Sequence, residues 1–194
     1  MLSSPIVLQM PPELQMTDEQ FFEFCQINRD LRIERNQFGN ISIMSPTGGK
    51  TGYRSGSLFG ELYIWTLQNG TGICFDSSTG FRLSTGAERS PDASWIKLER
   101  WNSLSEEQQE KFVPIFPDFV IELRSPSDNL KPLKEKMVEY MAEPGVQLGW
   151  LIDCKNRKVY IYRPGMAEEC LENPTTVSGS PVLPGFILNM SKIW

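Results

Sequence analysis

The amino-acid sequence predicts an α/β protein of the α+β kind, with a mixed β-sheet flanked by helices. Three observations carry the prediction. Helix-periodic and strand-like segments follow one another as helix, hairpin, helix, strands, helix, strands. Three of the strand-like segments, 91–97, 118–124 and 147–153, are apolar enough to form the sheet's centre. The chain has 194 residues, 40% hydrophobic and 22% charged, which suits one domain with a real core. Residues 1–194 are read as that single domain, with 1–14 as an N-terminal extension.

Each element has a local reason. The first helix follows Thr17, a good N-cap, and places Asp18 and Glu19 in its first turn, where the helix dipole favours acids. Leu31 and Ile33, a turn at 36–40, then Ile41 and Ile43 alternate as a β-hairpin. The second helix carries Leu58, Leu62, Trp65 and Ile64 as its apolar stripe and stops at Gly70. Gly52, Gly56 and Gly60 fall four apart on it, a spacing that would let another element pack close. Residues 72–84 read as two short strands around a Ser-Ser-Thr-Gly turn, and 89–101 as a further strand. Ser105 caps a short polar helix. The helix after 128 tolerates Pro132 because that residue falls in its first turn. Leu130, Leu133, Met137, Tyr140 and Met141 form its buried stripe. Residues 146–165 make a hairpin turning at 154–157, and the proline-rich tail holds short extended segments.

Composition excludes several function classes. There is no histidine, so Ser-His-Asp and Cys-His nucleophile systems and His-based zinc sites are ruled out. Proton transfer near neutral pH would have to use carboxylates, lysine, tyrosine, cysteine or metal-bound water. Cys25, Cys74, Cys154 and Cys170 are scattered, without metal-ligand spacing, and read as reduced thiols of a cytoplasmic protein. No apolar run approaches a membrane span, and the first residues lack the basic start of a secretory signal. The net charge of −5 is the wrong sign for tight nonspecific nucleic-acid binding. It is compatible with carboxylates gathered to hold a metal.

The segment PDFVIELRSPSD, 117–128, carries the chemical question. In a strand, Phe119, Ile121 and Leu123 point one way, and Asp118, Val120, Glu122 and Arg124 the other. Glu122 and Arg124 are then ~6–7 Å apart along the strand, but Asp118 and Glu122 are ~13 Å apart, too far to share an ion. A second carboxylate must come from another strand, and Asp92 in RSPDASWI is the candidate.

Pro91-Asp92, followed about thirty residues later by Glu122-Leu123-Arg124, resembles the PD-(D/E)XK nuclease pattern. The wider set RIERNQFGNISIMSPTGG, ICFDSSTGF, RSPDASWI, PDFVIELRSPSD, KMVEYM, LGWLIDCKNRKVYIYRPG and VLPGF is similar, in this order, to the Uma2 family. That restriction-endonuclease-like family, once known as DUF820, is abundant in cyanobacteria. The resemblance spans roughly residues 15–194. It implies a restriction-endonuclease-like core, DNA as substrate and Mg²⁺ (or Mn²⁺) as cofactor. Asp92, Glu122 and the Leu123 carbonyl would be the metal ligands, and Glu34 would reach the metal directly or through water. Arg124 stands where the superfamily usually has lysine. Arginine cannot act as a base, though it can stabilise a crowded phosphate. Lys136 matches a family lysine on the next helix, beside Tyr140 on the helical wheel, and can lean toward the sheet. Where the family often has His or Asn opening the second helix, this chain has Tyr53 and Arg54; Glu61 is a further carboxylate there.

Plainer readings stand beside these. Asp92 could cap a turn, Glu122 and Arg124 could form a structural ion pair, and Lys136, Glu34 and Glu61 could be solvated surface charges. Asp118 reads as structural, and Trp95, Trp101, Trp150 and Trp194 as core. At the level of function, a metal-dependent DNA endonuclease competes with a catalytically inactive binding or scaffold module on the same fold, and with a small-molecule hydrolase that uses the same carboxylates on another phosphate ester. A homodimer is expected of the endonuclease, because cutting both strands of a duplex needs two sites.

Overall fold

A computed structural model describes residues 5–126 and 128–194 of the chain. In chain order the elements are β1 (Ile6–Leu8), α1 (Asp18–Ile27), β2 (Arg32–Arg35), β3 (Ile41–Met44), α2 (Gly49–Asn69), β4 (Gly72–Asp76), β5 (Phe81–Arg82) and β6 (Glu88–Arg89). They continue with β7 (Ala93–Lys97), α3 (Leu98–Asn102), α4 (Glu106–Glu110), β8 (Phe119–Arg124), α5 (Leu130–Met141), β9 (Leu148–Asp153), β10 (Lys158–Tyr162), β11 (Glu169–Glu172), β12 (Thr176–Ser178) and β13 (Ile187–Asn189). Short 3₁₀ turns lie at Pro12–Leu14 and Met190–Lys192.

Six strands form the central sheet in the order β11-β10-β9-β8-β7-β4. Only β8 and β9 are parallel, with Glu122 opposite Leu151 and Arg124 opposite Asp153. A parallel pair needs a crossover, and α5 supplies it. The expected centre, 91–97, 118–124 and 147–153, is the run β7-β8-β9. Both faces of that run are covered, so its strands are apolar on both sides. Phe119, Ile121 and Leu123, with Trp150 and Ile152, pack on Leu58 and Leu62 of α2 and on the β12–β13 ribbon. Val120 and Leu151 face the other way, onto Met137 and Tyr140 of α5. Each fully buried leucine or isoleucine here contributes roughly 1.5–3 kcal/mol.

A second sheet, β1-β3-β2-β6-β5, was not foreseen. Its β5 and β6 are two residues each, too short for any periodicity to show. The two segments around the Ser-Ser-Thr-Gly turn are strands, but β4 joins the first sheet and β5 the second, so they do not pair. Residues 98–101, read as strand, lie in helix α3. Within the expected extension, β1 pairs with β3 as an edge strand; residues 1–4 lie outside the described residues. The caps are as expected: Thr17 with Gln20 and Ser105 with Gln108 form capping boxes, and Gly70 closes α2 at φ +68°. Gly56 and Gly60 do not receive a packed neighbour; a Cβ at either would meet nothing within 4 Å. Ile64 is exposed, and Arg54 and Thr66 join Leu58 and Leu62 on the buried side of α2.

The second sheet is locked by charge. Arg35 and Glu88 are opposite each other across β2 and β6, both 5% exposed or less. Arg35 donates from Nε and Nη2 to both carboxylate oxygens of Glu88, at 2.6 and 2.8 Å, and also reaches Asp18 of α1. Strand alternation sends the adjacent residues, Glu34 and Arg89, to the opposite face. The Arg35–Glu88 pair therefore sets where Glu34 and Arg89 project. Removing one partner strands a buried charge. Glu88→Ala is expected to lower stability by about 3 kcal/mol, measured by urea denaturation with the fold followed by circular dichroism.

Candidate active site

One lysine gathers the site. Lys136 lies one helical turn before Tyr140 on α5, on the face turned to the sheet. Its ammonium is 3.0 Å from Glu122 Oε1 and 3.0 Å from Glu34 Oε1. Glu122 comes from the middle of the parallel pair and Glu34 from the second sheet, so Lys136 joins the two sheets at one point. Glu122 is 3% exposed and Glu34 5%. The Tyr140 hydroxyl donates to the same Glu122 Oε1 at 2.8 Å. Among the described residues, Glu122 Oε2 accepts no hydrogen bond.

Glu34 is held on every side. Its Oε1 accepts from the Ser90 amide as well as Lys136, and its Oε2 from Arg89 Nη1 at 3.3 Å. Arg89 also binds Glu139 of α5 at 2.9 Å. Asp92, just before β7, accepts from the Leu123 amide at 2.8 Å through Oδ2. Its Oδ1 has only long contacts, 3.5 Å, to Arg32. Arg32 in turn donates to the Ser90 carbonyl at 2.7 Å. Four carboxylates, Glu34, Asp92, Glu122 and Glu139, thus face three cations, Arg32, Arg89 and Lys136, drawn from β2, β6, β8, α5 and the residue just before β7.

Electrostatics separates the acids. Burial pushes the Glu122 carboxyl up to about 7; Lys136 opposes that rise, and the charges of Asp92 and Glu34 add to it. Burial would also raise Glu34, but Lys136, Arg89 and the Ser90 amide together hold it below the ordinary carboxylate range. Burial disfavours the Lys136 ammonium, yet Glu122 and Glu34 outweigh burial and raise its pKa. Burial and then the neighbouring Glu122 and Glu34 keep the Tyr140 phenol protonated, its pKa well raised, so it acts as a donor. Glu34 is therefore a fixed anion and Lys136 a fixed cation, while Glu122 is the group that titrates near neutrality.

The sequence-derived candidates fall into two sets. Glu34, Asp92, Glu122, Leu123 and Lys136 are brought together. Arg124 is on the strand face expected for it but does not pair with Glu122. Its guanidinium is held by Asp153 at 2.7 Å and by the Asp128 carbonyl at 3.0 Å. Glu61 is elsewhere, paired with Lys192. Asp118 is fully buried and structural, accepting from Arg100, Gln147 and the Lys97 amide. Tyr140, Arg32, Arg89 and Ser90 were missed as site residues. Tyr140 had a signal, its i, i+4 relation to Lys136; the others had none beyond nearness to Pro91-Asp92.

Among the described residues, no three His, Cys, Asp or Glu side chains converge as a metal cage of their own. A cation here would rest on Asp92 Oδ1 and Glu122 Oε2, the two under-bonded oxygens, and complete its shell with main-chain and water oxygens. That all-oxygen, partly hydrated set fits a small hard cation such as Mg²⁺.

A family model described as Uma2, putative restriction endonuclease, matches residues 18–191. Among solved structures, a putative nuclease belonging to DUF820 from Anabaena variabilis ATCC 29413 matches with a TM-score of 0.71. The match covers 92% of this chain and 97% of that one at 19% identity, a likeness of fold. Comparison with curated proteins gave no match. No helix among the described residues is long and apolar enough to cross a membrane.

The raised Glu122 value has a consequence for stability. The folded protein keeps a proton that the unfolded chain releases between about pH 4.5 and 7. This contribution is complete below that window and is lost as pH rises through 7. A rise from 4.5 to about 7 corresponds to roughly 3 kcal/mol at ~1.4 kcal/mol per pH unit. Denaturant titrations of the metal-free protein from pH 4.5 to 8 are expected to show this fall in the wild type and a flatter profile in Glu122→Gln.

Proposed function

The chain belongs to the Uma2 family, and from that premise we propose that it is a metal-dependent DNA endonuclease with a PD-(D/E)XK-type site. The observation that carries the reading is the approach of Lys136 to Glu122 beside Asp92, three residues from separate parts of the chain. Asp92 and Glu122 would hold Mg²⁺ or Mn²⁺, with the Leu123 carbonyl as a further ligand; when bound, the ion activates water and offsets phosphate charge.

The side chains divide the remaining work. Lys136, fixed as a cation, is placed to stabilise charge developing on a phosphodiester or to orient the attacking water. Glu34 anchors the Lys136 ammonium, and Arg89 and the Ser90 amide anchor Glu34. Tyr140 fixes Glu122 through Oε1, which leaves Oε2 directed elsewhere. Arg32 lies half-exposed beside Asp92, where a guanidinium can meet a phosphate oxygen. In this reading the lysine role belongs to Lys136, and Arg124 secures the end of β8 through Asp153. Arg32, Arg89 and Lys136 offset the site's carboxylates in a chain whose net charge is −5, and Arg32 beside Asp92 is the most exposed of the three.

Cleavage of single-stranded, duplex and branched DNA with Mg²⁺ or Mn²⁺ tests the proposal. The wild type is expected to cut at least one substrate, Glu122→Ala and Asp92→Asn to abolish cutting, and Lys136→Met to slow it roughly 100-fold or more. Wild-type turnover by Glu122→Ala, or no cleavage of any substrate, would overturn it.

A further inference from the structure

The opposite face of the sheet holds an arginine with a buried nitrogen that no described residue bonds. Arg54 is 7% exposed and ends the buried stripe of α2 that runs through Leu58, Leu62 and Thr66. Its Nε is buried without a hydrogen-bond partner, and no hydrogen bond or ion pair to its terminal nitrogens is present among the described residues. A buried donor left unmade is costly, so a guanidinium placed here is poised for an anion that the chain itself does not supply.

The start of α2 is built to meet such an anion. Gly48 caps the helix without a side-chain hydrogen bond, and the first turn carries no acid. The amides of Gly49, Lys50 and Thr51 have no acceptor within the helix. A Cβ on Gly48 or Gly49 would meet nothing within 4 Å, so the approach is open. α2 is 21 residues long, so its dipole is fully developed at this end. Lys50 is exposed, one turn before Arg54 on the same side, and long helical side chains lean toward the N-terminus. Burial raises the pKa of the Cys154 thiol at the end of β9 and the charges of both residues lower it, so both lie within electrostatic reach of it. Lys155 and Arg157 are exposed on the β9–β10 turn. An acid at that turn, Asp153, is taken by Arg124 and the Asn156 amide group.

This end of α2 lies at the same edge of the sheet as Asp92 and Glu122. The far end of α2 leads through Gly70 to Gly72, which pairs with Lys97 at the end of β7; Asp92 precedes the start of β7. We propose that the open amides of α2, Lys50 and Arg54 form an anion subsite that takes a phosphate group. On the nuclease reading, on which the identity of its owner rests, that phosphate belongs to the strand crossing the sheet edge, away from the bond being cut.

Two arms test it, with Arg54→Met, which keeps the buried stem and removes the charge, Arg54→Lys, and Lys50→Ala at an exposed position. In the first, a fluorescein-labelled oligonucleotide is titrated at several salt concentrations in Ca²⁺. Arg54→Met and Lys50→Ala are expected to bind roughly tenfold more weakly, with a log K against log salt slope shallower by about 0.7–0.9 per lost phosphate contact. Arg54→Lys is expected to recover part of the loss. Wild-type affinity and slope in both neutral variants would overturn the proposal. In the second arm, Tm is followed against inorganic phosphate. The wild type is expected to gain Tm, and Arg54→Met to start from a higher Tm and gain nothing. If the wild type binds no oligonucleotide, the nuclease reading falls and this arm decides the subsite alone. A phosphate-dependent gain lost in both neutral variants supports it, and no gain in the wild type overturns it.

Discussion

Everything at the candidate site depends on one buried ammonium. Lys136 lies between Glu34 and Glu122, 3.0 Å from each. A buried lysine without anions would surrender its proton, and two buried carboxylates without a cation could not both ionise. Together they fix one anion, one cation and one acid that titrates near neutrality. Because the two glutamates come from different sheets, the same contact also sets how α5, the central sheet and the second sheet meet. Chemistry and architecture therefore share one group, and the rest of the structure serves to hold its partners in place. Arg35 and Glu88 position Glu34 and Arg89 by strand alternation, and the β8-α5-β9 crossover positions Lys136 above Glu122.

The sequence carried much of this because the relevant spacings are local. Period-two alternation placed Glu122 opposite Phe119, Ile121 and Leu123, and separated it from Asp118. Period 3.6 placed Lys136 on the sheet-facing side of α5. The three central strands were readable because each is long and apolar on both faces. The second sheet was not, because β5 and β6 are two residues each and are defined by pairing with distant strands.

Side-chain partners were the least legible layer. Arg124 was on the right face, but its choice of Asp153 over Glu122 follows from the parallel register of β8 and β9, which no spacing within β8 encodes. Tyr140 read as a core aromatic and is one, fully buried, yet its hydroxyl is the second donor to Glu122. Arg54 read as a variant residue at a helix start, and only the folded chain shows that its Nε is buried without a partner. Gly56 and Gly60 show the reverse error: a spacing that permits close packing does not supply a neighbour.

On the proposed reading, Asp92 and Glu122 form a hard-cation site governed by Lys136. Isothermal titration of the full chain with Mn²⁺ and Mg²⁺ at pH 7.5 or ~0.5 above the Glu122 value tests it most directly, since the acid is then largely ionised. The account predicts saturable binding in the wild type that Asp92→Asn and Glu122→Gln each abolish while retaining the fold. Absence of binding in the wild type, or binding that survives both substitutions, would contradict it.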